Sequence, residues 1–447
     1  MDQGSTQNRI ERLTGEITRL RLSRRSALKR AAALGLGASA VASTVPAAAT
    51  TGFAAAQAKP RVRLGTWAAV EEAAELQAVI DKVNAEATDY EIVSEPQPAD
   101  YYTKLQTTIA GGTGPDLFWL SQENVAGYAT LGAALDISER LAADSTPAAK
   151  LDDYFEPILR TAQFDGKTFG LPWISQPVML YYNPALFEAA GVPEPDESWT
   201  WDTFRDAAGK LTDPAAGVYG TSFNGWPPVP MFIWQAGGDT ISEDLASCPI
   251  DSPEAIEAAT FYSDIIYNEQ YAVPQATIEE QGFGEMVKAG KVAMFYGGAA
   301  DDLDFAAKKD PANAVIKMAL VPSGPKSRTT FAYTASTVVN AASENPDAAY
   351  KALVGLTEGI HHWKIVAPRT SLATEETIAE SVPDKAPSAL IIVQAVQDMR
   401  SFNVIPKQAE WDETFLKEYL EPIFFKEATP EEIASDVRPI LEDLLPS

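Results

Sequence analysis

The sequence predicts an α/β protein of two domains, and three observations predict it. Strand-period and helix-period hydrophobic patterns alternate from Arg61 onward, helix-start signals recur to the C-terminus, and no tandem repeat or low-complexity linker interrupts them. Beyond an N-terminal segment with export features, about 390 residues remain, enough for two domains that each bury a core.

The elements follow in order. Arg61 to Trp67 alternates as a strand, and Leu76, Val79, Ile80, Val83 and Ala87 fall on one face of a helix. Tyr90 to Val93 reads as a second strand, Tyr101 to Ala110 as a second helix, and Asp116 to Leu120 as a third strand. This β-α-β-α-β order implies a parallel sheet with helices on both faces. The turn Gly111-Gly112-Thr113-Gly114-Pro115 delivers the chain into the third strand. Further helices start at Ser252-Pro253-Glu254, Asn345-Pro346-Asp347 and Thr429-Pro430-Glu431-Glu432, where a capping residue precedes proline and acid. Ala258, Phe261, Tyr262 and Ile265 give the first of these a buried face, and Pro439 predicts a kink in the last. Ligands of open α/β sheets sit beyond the C-terminal ends of parallel strands, which places Trp67 and the run Trp119 to Glu123 where a site is expected.

Residues 1–58 read as a twin-arginine export signal. Ser23-Arg24-Arg25-Ser26-Ala27-Leu28-Lys29 is followed by an apolar stretch, Ala31 to Val45, that is too short and too rich in small residues to span a bilayer. The A-x-A pattern Ala56-Gln57-Ala58 sets the expected mature start near Lys59. The chain carries a formal charge of −27. Loss of the signal deepens this to about −32, a surface that repels nucleic acid and anionic membranes. Cys248 is the single cysteine, so no intrachain disulfide framework is expected, and no lipid-anchoring cysteine follows the apolar stretch.

Catalytic chemistry is poorly provided for. The only histidines, His361 and His362, are adjacent, and they read as surface or helix residues without a mechanistic role. There is no G-x-S-x-G, P-loop, H-E-x-x-H or cysteine-histidine cluster, so no catalytic residue, metal or cofactor is expected. Abundant carboxylates leave a paired-acid glycosidase open as an alternative. Asp301, Asp302 and Asp304 form the tightest acidic cluster, without the glycine and terminal glutamate of an EF-hand loop.

Several segments in sequence carry a resemblance: Tyr101-Tyr102-Thr103-Lys104-Leu105-Gln106 running into Gly111 to Asp116, Asp165-Gly166-Lys167-Thr168-Phe169-Gly170-Leu171-Pro172, and Leu180 to Phe187 with Ala190-Gly191-Val192-Pro193. Trp199-Thr200-Trp201-Asp202-Thr203-Phe204, Trp234 to Asp239 and Gly290 to Phe295 complete the series. In their order and spacing the chain, over residues 61 to 445, resembles the extracellular solute-binding proteins of carbohydrate ABC transporters, the family that includes maltose-binding protein.

The resemblance implies a two-lobed periplasmic-binding-protein fold, each lobe a mainly parallel sheet flanked by helices, with a ligand cleft between the lobes. It sets lobe 1 at residues 59–168 and 332–372 and lobe 2 at residues 169–331 and 373–447, with a hinge near Phe164 to Pro172. It implies a monomer that binds a carbohydrate without turnover and presents it to ABC transporter permease subunits. A polyol, phosphorylated polyol or peptide is the alternative ligand, with Arg369 and Arg328 the arginines suited to a phosphate.

Sugar recognition needs flat aromatic faces and planar polar groups. The positions matching the family's cleft are Trp67, then Ser121, Gln122 and Glu123, then Trp173 and Gln176, then Asn224 and Trp226. Gly298 and Asp301 occupy the loop after the Met294-Phe295 strand, where Ala299-Ala300 replaces the aromatic or arginine usual in relatives. Arg369 and Trp411 lie in later segments that tend to reach the cleft. Trp199, Trp201, Tyr181 and Tyr182 are expected to pack rather than to bind.

Overall fold

The computed structural model of the chain describes residues 59–223, 229–301 and 312–446. Residues 1–58, read above as an export signal, Asn224 and Trp226, and Asp302 and Asp304 lie outside the described residues.

Alternation of buried Val62 and Leu64 with more exposed neighbours makes Arg61–Thr66 a strand, β1. It pairs in parallel with β2, Glu91–Pro96, on one side and β3, Leu117–Ser121, on the other. The crossover helices Val70–Glu86 and Tyr101–Ala110 connect them, the first burying Leu76, Ile80 and Val83 as the periodicity requires. The Tyr101 hydroxyl donates to the carbonyls of Gly65 (3.1 Å) and Trp119 (2.9 Å), which pins the second helix over the ends of β1 and β3.

A hairpin of β4, Gln163–Phe164, and β5, Lys167–Thr168, turns through Asp165 and Gly166, both at positive φ. Two long strands then organise the rest: β6, Gly170–Tyr182, and β10, Thr330–Val339. Between them come β7, Tyr219–Ser222, β8, Val292–Gly298, and β9, Lys317–Ala319, and after them β11, Met399–Arg400. The large sheet runs β2-β1-β3-β10-β6-β8-β7, with β11 beside β10 and β9 beside β6. All antiparallel pairing in it involves β6 or β10. The first part of β6, up to Pro177, pairs with β10, and Val178 to Tyr182 pair with β8.

Two large buried clusters share these long strands. Leu171, Ile174, Ala335 and Val339 belong to the cluster with Leu64, Trp119 and Leu353, whereas Val178, Leu180 and Phe331 belong to the one with Phe204, Phe232 and Met294. Trp199 and Trp201 are buried in the second cluster; Trp201 stacks on Phe261 at 4.3 Å and donates its indole N–H to Gln235 Oε1 at 2.7 Å. Tyr181 and Tyr182 are likewise buried.

Ser252 and Thr429 cap their helices through the side chain, Thr429 with Glu432 in a reciprocal capping box. Asn345 holds the capping position without a side-chain bond. The last helix, Pro430–Glu442, continues through Pro439 rather than ending there.

Candidate functional site

At the C-terminal ends of β1 and β3 the chain gathers a wall of indoles. The Trp67 ring lies 5.1 Å from Trp119, 5.5 Å from Tyr101 and 6.4 Å from both Tyr102 and Trp173. Trp119 and Trp173 stack at 4.4 Å, with Trp363 behind at 6.2 Å from Trp173. Trp67 and Trp363 keep partial exposure. Trp173 does not: it is 3% exposed, and its ring is occupied by other indoles. The expectation that it faces a ligand is corrected by a bulge, because Ala335 pairs with Ile174 and Ser336 with Pro172, leaving Trp173 as the extra residue turned into the core.

The polar groups begin at the end of β3. Ser121 Oγ is 2.7 Å from the Tyr102 hydroxyl, takes a bond from Asn124 Nδ2 at 3.0 Å and donates to Glu123. Burial pushes the Glu123 carboxyl up, against the pull of that Ser121 hydrogen bond. Gln122 is buried and its Oε1 accepts from Thr334 N (3.2 Å) and Ser401 Oγ (2.9 Å), so that oxygen ties β3 to β10 and to the segment after β11 instead of meeting a ligand.

A further acid, Asp412, lies in the helix Gln408–Thr414. It accepts from Gln408 Nε2 at 2.8 Å, and burial, reinforced by the Glu123 charge, pushes its carboxyl up to about 7. Burial and the Glu123 charge also raise the phenols of Tyr102 and Tyr333. Tyr333 pairs across strands with Gln176, and Ala335, on the same face of β10, pairs with Ser121. Gln176, Tyr333 and Ser121 thus lie along one face of the sheet.

Gln176 Nε2 donates to Asp301 Oδ1 at 3.1 Å, and Asp301 Oδ2 accepts from Gly298 N at 2.9 Å. A Cβ on Gly298 would stand 1.6 Å from Gln176 Nε2, so only glycine lets this side chain lie across the end of β8. Lys385, fully buried, donates to the Asp301 carbonyl.

Two further site expectations are overturned. Trp411 is wholly buried, stacks on Phe415 at 4.9 Å and donates to Cys248 Sγ at 3.3 Å. Arg369 is 7% exposed and its guanidinium is spent on Asp153 (2.9 Å) and Glu358 (3.3 Å), which locks the 151–153 turn to the helix Pro346–Ile360. Asp153, hydrogen-bonded by Ser371, Arg369 and Thr370, is held at about 2. His361 is not a surface residue: it is 1% exposed, with Nε2 3.0 Å from the Pro172 carbonyl, and burial drops it to about 3. Sequence reasoning missed Tyr102, Tyr333, Trp363 and Asp412. Among them only Tyr102 carried a visible signal, as part of the Tyr101-to-Gln106 segment that carries the resemblance.

Among the described residues no group of three or more His, Cys, Asp or Glu is arranged to hold a metal ion. The site is a surface of indole and phenol rings beside hydroxyls, amides and carboxylates, suited to binding hydroxyl-bearing molecules. The sequence profile of the bacterial extracellular solute-binding proteins matches residues 67–356. The chain belongs to this family. It is therefore a solute-binding protein rather than an enzyme.

Curated relatives include a binding protein of Brucella abortus, 28% identical over 256 residues that make up 56% of this chain and 60% of that protein. A maltotriose-binding protein of Pyrococcus abyssi is 30% identical over 46% of this chain and 42% of its own length. The chain thus spans about half the length of the curated relatives it matches. An ABC substrate-binding protein from Listeria monocytogenes, solved in complex with cycloalternan, superposes with a TM-score of 0.74 at 23% identity, covering 86% of this chain and 98% of that one. Its two-domain periplasmic-binding-protein fold is the fold of this solute-binding protein.

Proposed function

We propose that this solute-binding protein captures a carbohydrate or similar polyhydroxylated solute and delivers it to the permease of an ABC importer, after export by the twin-arginine pathway. The observation that carries this reading is the placement of Ser121, Tyr333 and Gln176 on one face of the sheet, with Glu123 and Tyr102 hydrogen-bonded to Ser121, beside the partly exposed ring of Trp67. Sugar hydroxyls donate charge-assisted hydrogen bonds to a carboxylate such as Glu123, while the C–H face of a sugar ring covers an indole. The maltotriose-binding and cycloalternan-bound relatives support an oligosaccharide.

In this reading residues 59–168 with 332–372 form one lobe and residues 169–331 with 373–447 the other, acting as a monomer. Solute enters between open lobes and closure buries it. Trp67, Ser121, Glu123, Gln176, Gly298 and Asp301 contribute from the described residues, and Asn224 and Trp226 complete the set. A phosphorylated ligand finds no free guanidinium at Arg369, whose donors are spent on Asp153 and Glu358.

The test is the thermal unfolding midpoint of the full chain against mono- and oligosaccharides, polyols, phosphorylated polyols and peptides. A native-state ligand at a hundredfold over its Kd adds about 2.7 kcal/mol. A shift with one sugar, recovered intact, is the expected result. A shift with peptides or phosphorylated polyols and none with sugars would overturn the carbohydrate assignment.

A further inference from the structure

A carboxamide accepts hydrogen bonds at one end and donates at the other, in nearly the same shape, so its neighbours decide which end faces out. For Gln176 that neighbour is Asp301, whose carboxylate accepts and does not donate. Asp301 Oδ1 takes the Gln176 Nε2 hydrogen at 3.1 Å, and Oδ2 takes the Gly298 N hydrogen at 2.9 Å. Gln176 keeps partial exposure, and no described group donates to its Oε1.

The turn that carries this carboxylate is held at its carbonyls. The Tyr181 hydroxyl donates to the Gly298 carbonyl at 2.7 Å and lies 3.4 Å from the Asp301 carbonyl, while Asp301 N donates to the Gly298 carbonyl at 2.9 Å. Lys385, from the segment Pro383–Ser388, donates its ammonium to the Asp301 carbonyl and lies 5.6 Å from the centre of the Tyr181 ring. Lys385 is fully buried, and an ammonium out of water is costly unless it is hydrogen-bonded. Packing alone gives no reason for a lysine at this position, whereas fixing a carbonyl does.

We infer, resting on the binding-site reading above, that Lys385 and Asp301 are positioning residues that hold the Gln176 carboxamide with its nitrogen inward and its oxygen toward the solute. This end of the site therefore takes a hydrogen-bond donor, a hydroxyl or an amide N–H. It rejects the carboxylate of a uronic acid or the phosphate of a sugar phosphate, whose lone pairs would meet lone pairs.

Asp301→Asn inverts the arrangement. The one remaining side-chain oxygen is claimed by Gly298 N, so the new Nδ2 faces Gln176, which must turn its oxygen inward and its nitrogen toward the solute. Adding Gln176→Glu restores an outward oxygen, because a carboxylate at that position accepts from the Nδ2 with one oxygen and faces the solute with the other.

Two readouts on the full chain test this. In the first, without solute, glutamine labelled at its side-chain nitrogen gives a Gln176 signal, assigned by its loss in Gln176→Glu, and exchange of its Nε2 hydrogens with water is followed by NMR. Exchange in wild type is expected to be about tenfold slower than in Asp301→Asn and than in Lys385→Met, the worth of one hydrogen bond. A merely structural lysine would lower the thermal midpoint of Lys385→Met and leave this exchange unchanged, which would overturn its role. Equal exchange in wild type and Asp301→Asn would overturn the positioning altogether, and that comparison does not need Lys385→Met to fold.

The second readout is calorimetric titration with maltotriose, glucose and glucuronate. Wild type is expected to bind a neutral probe and not glucuronate, Asp301→Asn to weaken the neutral probe about tenfold, and the double variant Asp301→Asn/Gln176→Glu to recover it. Glucuronate binding as tightly as glucose, or neutral binding unmoved by Asp301→Asn, would overturn the contact between the Gln176 oxygen and the solute. Silence of every sugar, with the Gln176 amide still held, would sink the carbohydrate reading and leave the positioning network standing.

Discussion

Trp411 and Asp412 are consecutive residues on one helix, about 100° apart around its axis, and that angle separates a wholly buried side chain from one that keeps partial exposure. The Trp was legible because nine tryptophans in 447 residues stand out, and the Asp was not, because it is one of 62 acids. Ser121 and Glu123 were legible from the strand-end rule, whereas Tyr333 depended on strand pairings that no local pattern reveals. Asp412 also carries a cost. Its carboxyl, near 3.9 in an unfolded chain and about 7 here, favours the folded state only when protonated, so that stabilisation is lost as pH rises through about 7. Asp412→Asn is therefore expected to raise the unliganded thermal midpoint at pH 8 and to change it little at pH 4; equal shifts at both would refute this. His361 has the opposite sign. Dropped to about 3 from the ordinary 6.5, it contributes stability that is complete above 6.5 and falls away as pH drops toward 3, at up to about 1.4 kcal/mol per pH unit. His361→Gln, which retains a donor for the Pro172 carbonyl, should flatten the acid side of a urea-midpoint profile, and parallel profiles would show that burial of the imidazole has no such effect.

At the scale of elements, some packing constraints are backbone contacts that no side-chain substitution elsewhere can relieve. Gly220 of β7 is one: a Cβ there would stand 1.9 Å from the Ala208 carbonyl oxygen of the helix Trp201–Leu211. Gly220→Ala must push helix from strand and is expected to cost about 3 kcal/mol by chemical denaturation. Thr429→Ala, which removes one capping box on an exposed helix start, should cost about 1 kcal/mol. A Gly220→Ala cost no larger than the Thr429→Ala cost would mean that the strand and helix slide apart freely. β1, β3 and the helix Tyr101–Ala110 were legible to within a residue, since they are set by local alternation and 3.6-residue periodicity, whereas β2, read as Tyr90 to Val93, runs on to Pro96, and the helix Val70–Glu86 starts six residues before the first periodic position, Leu76. β6 was not legible. Pro172 and Pro177 argue locally against an interior strand, and the stretch up to Pro172 reads as a hinge. In the structure Pro172 sits beside the bulge, so this thirteen-residue strand pairs on both sides despite its prolines. β9 and β11, three and two residues long, exist only through the partners that β6 and β10 offer them.

For the whole molecule, the shared strands set how it unfolds. β6 places Leu171 and Ile174 in one large buried cluster and Val178 and Leu180 in the other, and β10 does the same with Val339 and Phe331. Opening either cluster frees half of both strands and exposes unpaired backbone in the centre of the other, which costs far more than opening two independent domains joined by a linker. The best-protected amides of β1, in one cluster, and of β8, in the other, should therefore exchange with the same free energy, and that value should equal the stability from global denaturation. A lower value at β8 would show that the second half opens alone. Ligand sharpens the comparison. A solute that contacts both Trp67, beyond β1, and Asp301, beyond β8, touches segments that pack with each cluster, so saturating the protein at a hundredfold over Kd should raise protection at β1 and β8 together by about 2.7 kcal/mol. Protection gained at β1 alone would place the solute on the Trp67 side of the sheet, out of reach of Gln176 and Asp301, and would refute a site shared by the two clusters.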